Sequence, residues 1–181
     1  MKFTNLVLLS ILGVFFLSSC GPKLTPFTQK LYDENNWSDD ELKRIQFYTS
    51  GDIILFRELR KGESEIVSGE IKIKNGRKID EVVIKKGTPG VLMFRPKENK
   101  FAISFEAKND DGYLIFGATK RRSGQYRLFA KDWNRSFGKV TYDGKTYRTS
   151  SESQYATLMV DLKRVRNTKV QKRVAKGRTV D

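Results

Sequence analysis

Phe101-Ala102-Ile103-Ser104-Phe105-Glu106-Ala107-Lys108 is the stretch that decides the fold. Phe101, Ile103, Phe105 and Ala107 alternate with smaller or polar residues, the period of a strand with one buried face rather than the 3.6 of a helix. Similar short runs occupy 53–59, 70–74, 79–85, 91–94, 113–119, 126–131, 139–142 and 157–165. Turn chemistry separates them: Asn75-Gly76, Pro89-Gly90, Asn109-Asp110-Asp111-Gly112, Ser123-Gly124 and Asp143-Gly144. Most connections are only a few residues long, which favours antiparallel neighbours because a parallel crossover needs a dozen residues or more. The expected fold is therefore mainly β, an antiparallel small barrel or sandwich of about 8–10 strands that covers or closes its edges.

Ahead of the strands lie one or two short helices. Ser38-Asp39-Asp40-Glu41 has the form of a capping box, with Ser38 as N-cap and Glu41 three positions on, before Leu42, Ile45 and Phe47. The acidic first turn suits the helix dipole. Runs of about six residues are shorter than the nine to eleven that a membrane-spanning barrel strand requires, and their many lysines also argue against such a barrel.

At the N-terminus, Lys2 precedes an apolar run from Leu6 to Leu17 broken only by Ser10 and Gly13. As a helix this run reaches roughly 18 Å, against about 30 Å of bilayer hydrocarbon. Such a segment has the form of an export signal. It ends in Leu17-Ser18-Ser19-Cys20, and Cys20 is the single cysteine among 181 residues. This resembles the lipobox of bacterial lipoproteins. The resemblance implies removal of residues 1–19 and acylation of Cys20, each buried methylene contributing about 0.8 kcal/mol to anchoring. It also implies, through Gly21 in place of an aspartate, an outer-membrane location, with the periplasmic face expected. The expected organisation is then a signal over 1–19, an acylated Cys20 and tether over 20–28, a single β-rich domain over 29–165 and a basic tail over 166–181.

Charge is unevenly spread. The chain carries 35 Lys and Arg against 21 Asp and Glu, a net +14. Residues 20–111 hold 17 basic and 16 acidic side chains, whereas residues 112–181 hold 17 and 5. The densest part is Lys163, Arg164, Arg166, Lys169, Lys172, Arg173, Lys176 and Arg178. Such asymmetry points to a polyanionic partner. Tyr113, Phe116, Tyr126, Phe129 and Trp133 lie among Arg121, Arg122, Arg127 and Lys131, an interleaving that in the cytosol would suggest stacked bases. Export makes nucleic acid an unexpected partner. It leaves the membrane held through Cys20, an anionic envelope component or an acidic envelope protein. Solvation of the surface by scattered lysines, and core packing by the aromatics, are the plain alternatives.

No catalytic site is expected. The absence of histidine removes the common triads and His-ligated metals, and a lone cysteine removes a CxxC site. Ser136-Phe137-Gly138-Lys139 matches a Ser-x-x-Lys spacing, but Gly138 and a strand pattern replace the helix that this chemistry requires. Asp110-Asp111 before Gly112 reads as a turn, and Glu106 and Asp132 cannot be paired from sequence. The Asn36-Trp37-Ser38 and Asn134-Arg135-Ser136 triplets fit the glycan acceptor pattern incidentally. No cofactor is expected. The reading is a non-catalytic envelope lipoprotein that binds a polyanion or serves an envelope assembly; a lipocalin-like carrier of an apolar ligand and an enzyme inhibitor are the alternatives.

Overall fold

The computed structural model describes residues 22–59, 70–74, 77–107, 109, 111–120, 124–134 and 137–166, with backbone alone for 70–74 and 166. Strands are numbered along the chain. One sheet has seven: β1 (Leu24–Pro26), β2 (Phe47–Thr49), β6 (Pro89–Lys97), β7 (Lys100–Ser104), β8 (Tyr113–Ala118), β9 (Tyr126–Leu128) and β12 (Leu158–Asp161), in the order β1-β12-β2-β6-β7-β8-β9. The other has five: β3 (Ile53–Glu58), β4 (Glu70–Lys74), β5 (Arg77–Ile84), β10 (Phe137–Tyr142) and β11 (Lys145–Ser150), in the order β10-β11-β3-β5-β4. Every ladder is antiparallel. Short helices α1 (Gln29–Asn35), α2 (Asp39–Leu42) and α3 (Leu162–Arg166) complete the body. Among the described residues no helix is long and apolar enough to cross a membrane.

The seven-stranded sheet curls until its two edges meet. Thr28 bridges Gln125 and Arg127 bridges Thr157, while the Tyr126 N–H donates to the Phe27 carbonyl at 3.3 Å and the Leu128 N–H to Ala156 at 3.1 Å. These are isolated bridges, so the curl is barrel-like without a continuous closing ladder. Phe27, Phe47, Phe101, Phe116 and Tyr126, all fully buried, fill its interior. The Phe27 ring lies 5.2 Å from Phe47, 5.5 Å from Phe101 and 5.3 Å from Tyr126, and stacks on Trp37 at 6.0 Å. Edge and tilted contacts of this kind suit the ring quadrupoles and add to the area that they bury.

Phe27 corrects one expectation. Residues 24–28 are not part of a tether: β1 pairs with β12 from Leu24↔Asp161 to Pro26↔Met159, and the Phe27 N–H donates to Leu158 at 2.8 Å. Pro26 is tolerated because β1 is an edge strand, where a missing N–H breaks no inner ladder. A second difference lies in 157–165, where the strand stops at Asp161 and α3 turns Val165 into the core. The Lys163 N–H donates to the Asp161 carboxylate at 3.0 Å, so the side chain that ends the strand caps the turn that follows. The capping box at Ser38 and Glu41 forms with both bonds in place. In β7, Ala102 and Ser104 are buried as well as Phe101 and Ile103, because Phe94 of β6 and Ile115 of β8 flank Ala102 on the outer face and the Ser104 hydroxyl donates to Gly112 at 2.9 Å. One buried face was expected there, and both are covered.

Where the chain passes between sheets, hydroxyls satisfy the backbone. The Ser50 Oγ accepts from the Thr157 N–H at 2.9 Å, and the Ser153 Oγ accepts from Ile54 at 3.2 Å. The inner face of the five-stranded sheet carries a buried polar knot. The Arg57 guanidinium meets Asp80 at 2.8 Å, and the Tyr147 hydroxyl donates to the same carboxylate at 2.9 Å. Nearby, the Tyr142 hydroxyl donates to Glu106. Burial, followed by the bond to Asp80, pushes the Tyr147 phenol up to about 12. Burial also raises Tyr142 and Tyr126.

Two outcomes follow from this packing. Phe27→Ala will lower unfolding stability by about 3–5 kcal/mol, read from urea denaturation, because a central ring is removed from a close-packed interior. Stability will also fall as pH rises from about 10 toward about 12, the range in which the phenols ionise in the unfolded chain but stay protonated in the fold. Tyr147→Phe will flatten that alkaline slope in a pH series of melts. An unchanged slope would show that Tyr147 does not drive it.

Candidate functional site

A concavity lies where the outer surfaces of the two sheets meet. In β6, β7 and β8 the side chains opposite the core pair across the sheet as Phe94↔Ala102 and Ala102↔Ile115. Tyr113 lies beside them, its ring 5.0 Å from that of Phe94. Beyond β9 the chain runs on to Lys131, which exchanges two backbone hydrogen bonds of 2.8 Å with Lys139 of β10. This bridge joins the edge of the curled sheet to the edge of the other. Asp132, at φ 52, then turns the chain away in a left-handed conformation.

Gly138 makes the joint possible. A Cβ there would stand 2.8 Å from the Ala130 Cβ and from the Trp133 ring. Only a bare backbone lets β10 approach this segment so closely. The same glycine interrupts the Ser-x-x-Lys spacing. Ser136 lies outside the described residues, and the Lys139 ammonium is held 3.2 Å from the Asp132 carboxylate on a strand rather than a helix.

The resulting cleft has a volume of about 590 Å³. Its floor is apolar, from Phe94, Tyr113, Ile115 and Phe129, and its rim is Lys97, Lys100, Lys131 and Lys139. Phe94 and Phe129 remain 44% and 41% exposed, unusual for side chains of their size. The Lys100 Nζ stands 3.3 Å from the centre of the Phe129 ring, a cation–π contact. Burial first, and then the fields of Lys97 and Lys131, hold Lys100 below the ordinary lysine range. An anion bound beside it would offset that repulsion and favour the charged form. Among the described residues no carboxylate forms an ion pair with Lys97, Lys100 or Lys131.

The residues expected to bind polyanions are placed elsewhere or lie outside the described chain. Lys163 and Arg164 are exposed on α3, with the Arg164 Nε 3.9 Å from Asp161, and neither lines the cleft. Arg166 ends α3. Cys20, Lys169, Lys172, Arg173, Lys176 and Arg178 lie outside the described residues, as do Arg121 and Arg122. The aromatics set beside them divide: Phe116 and Tyr126 are core, whereas Tyr113 and Phe129 line the cleft. Lys97 and Lys100 were not singled out from the sequence. Their signal was the pair of lysines flanking Glu98-Asn99, a short turn that aims both across the same surface.

Glu106 accepts from the Tyr142 hydroxyl, and Asp132 accepts from the Lys139 ammonium. The Asn109 side chain accepts from the Asp111 N–H at 3.0 Å, which makes this segment a turn. Among the described residues there is no group of three or more His, Cys, Asp or Glu side chains that could hold a metal. Known protein families, curated proteins and solved structures offer no match to this chain. The cleft combines an apolar floor with a rim of lysines.

Gly138→Val will separate the Lys131–Lys139 bridge and cost about 1–3 kcal/mol, as overpacking does. Urea melts will record the loss. Hydrogen exchange will find the Lys131 and Lys139 amides less protected than those of the Phe27 cluster.

Proposed function

We propose that this chain is a lipid-anchored protein of the bacterial outer membrane, facing the periplasm, that binds an anionic envelope component without chemical catalysis. The cleft at the sheet junction is the binding site. The observation that carries the reading is the rim of lysines around exposed aromatic rings. Three of these ammonium groups have no ion-paired carboxylate among the described residues, and one is held below its ordinary pKa. Gathering like charges on one surface costs stability through self-repulsion, and it suits a protein whose ligand supplies the opposite charge. The anchor rests on the lipobox-like Leu17-Ser18-Ser19-Cys20. The basic tail adds a second, weaker attraction to anionic surfaces, about 1 kcal/mol for each residue near them.

An apolar-ligand carrier of the lipocalin kind would need an open lumen, and the curled sheet is instead packed with aromatic side chains. A partner strand is the competing reading for an assembly role. β4 occupies one end of the five-stranded order, the position at which another chain adds a strand.

Metabolic labelling with a fatty-acid probe will mark the wild-type chain and not Cys20→Ser. On a carboxylated polysaccharide resin, the Lys97→Gln, Lys100→Met, Lys131→Gln triple variant will lose at least tenfold in affinity. Wild-type retention will fall as salt rises through the range that screens exposed charges. Removal of residues 167–181 will have the smaller effect. Lys100→Met alone will keep its unfolding free energy within about 0.5 kcal/mol, as expected of a change outside the core. Equal retention of the triple variant and wild type would remove the cleft from the account.

A further inference from the structure

We infer that the ligand is an extended acidic glycan, laid along a track that runs from the cleft in both directions. The inference rests on the anion-binding reading and adds the ligand's shape and class.

The cleft does not end at its rim. On one side it shares Lys100 and Phe129 with a second concavity of about 360 Å³, lined also by Arg127, Leu128 and Trp133. On the other it shares Lys139 and Thr146 with a third of about 340 Å³, which reaches Phe56 and Arg148 on the outer surface of the five-stranded sheet. The three depressions adjoin through these common residues in a row across both sheets. Its cations recur along its length as Arg127, Lys100, Lys131, Lys139 and Arg148, a series suited to repeated charges. Two carboxylates also line it, and both are engaged: Asp132 by Lys139 at 3.2 Å, and Glu58 by Arg77 at 3.2 Å.

The cations are set against rings. The Arg127 guanidinium carbon lies 5.6 Å from the Tyr155 ring centre, and that of Arg148 lies 4.7 Å from the Phe137 ring centre. Tyr155 is itself 60% exposed. The Arg127 Nε is buried with no hydrogen-bond partner among the described residues, while the residue itself lines the second concavity. A pyranose ring offers an apolar face of C–H groups that packs on aromatic rings, and an acidic sugar adds a carboxylate within reach of a neighbouring cation. A polymer of such sugars repeats both features along its length. A flat bilayer surface would meet the rims of these concavities and not the aromatic floor, and a single small anion would leave two of the three unfilled. Charge complementarity, exposed rings and elongated shape together single out the glycan.

The test is a length series. Dimeric, tetrameric and octameric oligogalacturonates are titrated against the mature chain, with the fluorescence of Trp133, on the groove wall, reporting binding. Neutral oligomers of the same lengths, and vesicles containing anionic lipid, are run alongside. Affinity is expected to rise at least tenfold from dimer to octamer, with no binding of the neutral series. The Arg127→Gln, Arg148→Gln pair should remove that increment, while Lys100→Met should weaken every length.

Length-independent binding that still depends on Lys100 would overturn the track and leave the cleft intact. Binding to the vesicles with none to any acidic oligomer would overturn the glycan as ligand while sparing the broader anion-binding reading. Failure to bind both would overturn the two together.

Discussion

The structure depends on the capture of Phe27. Its ring packs against Phe47, Phe101, Tyr126 and Trp37. Its backbone N–H reaches Leu158 of β12, and its carbonyl receives the N–H of Tyr126 of β9. One residue thus sits at the centre of the aromatic interior of the seven-stranded sheet and brings its two edges together. Interiors are packed as densely as organic crystals, so an aromatic at this position leaves little room for another arrangement. The curvature it holds also gives β6, β7 and β8 the outer surface on which the lysine cleft is built.

The second constraint is the approach of two backbones at Gly138. The inner faces of both sheets are occupied by the core and by the Arg57–Asp80–Tyr147 knot, so ligand chemistry is left to the outer surfaces. On either sheet alone those surfaces would be open to solvent on one side. The Lys131–Lys139 bridge turns them into the walls of a groove. Charges drawn from a turn between two strands, from a strand and from a loop then face one volume. Such convergence is a property of the joint and of no single element.

The strand content was legible because its signal is local. The Glu70–Lys74 run matches β4 in both bounds. Asp143 and Gly144 make the two-residue turn that their types demand, with φ 51 and 66 between the paired Tyr142 and Lys145. The errors occurred where distant partners decide the outcome. Leu24-Thr25-Pro26 has no strand period, and becomes β1 only because β12 returns from more than a hundred residues away to pair with it. β2 is three residues long, and β11 reads as polar until Tyr147 and Thr149 are seen to face inward. For the site, composition showed where the positive charge accumulates, and drew attention to the run from Lys163 onward. It could not show that Lys97 and Lys100, from the nearly neutral half, meet Lys131 and Lys139 across a sheet junction. Clustering in space depends on register, which charge counts along the chain do not contain.

The early start of β1 bears on how the body would sit if Cys20 carries lipid. Leu24 is already paired and stands four positions after the cysteine, a shorter stretch than the prolines led one to expect. Fully extended, four residues reach roughly 14 Å. That is a short leash. A protein moored so closely could patrol only the layer next to the bilayer, and any polymer in its groove would be drawn down against the lipid surface.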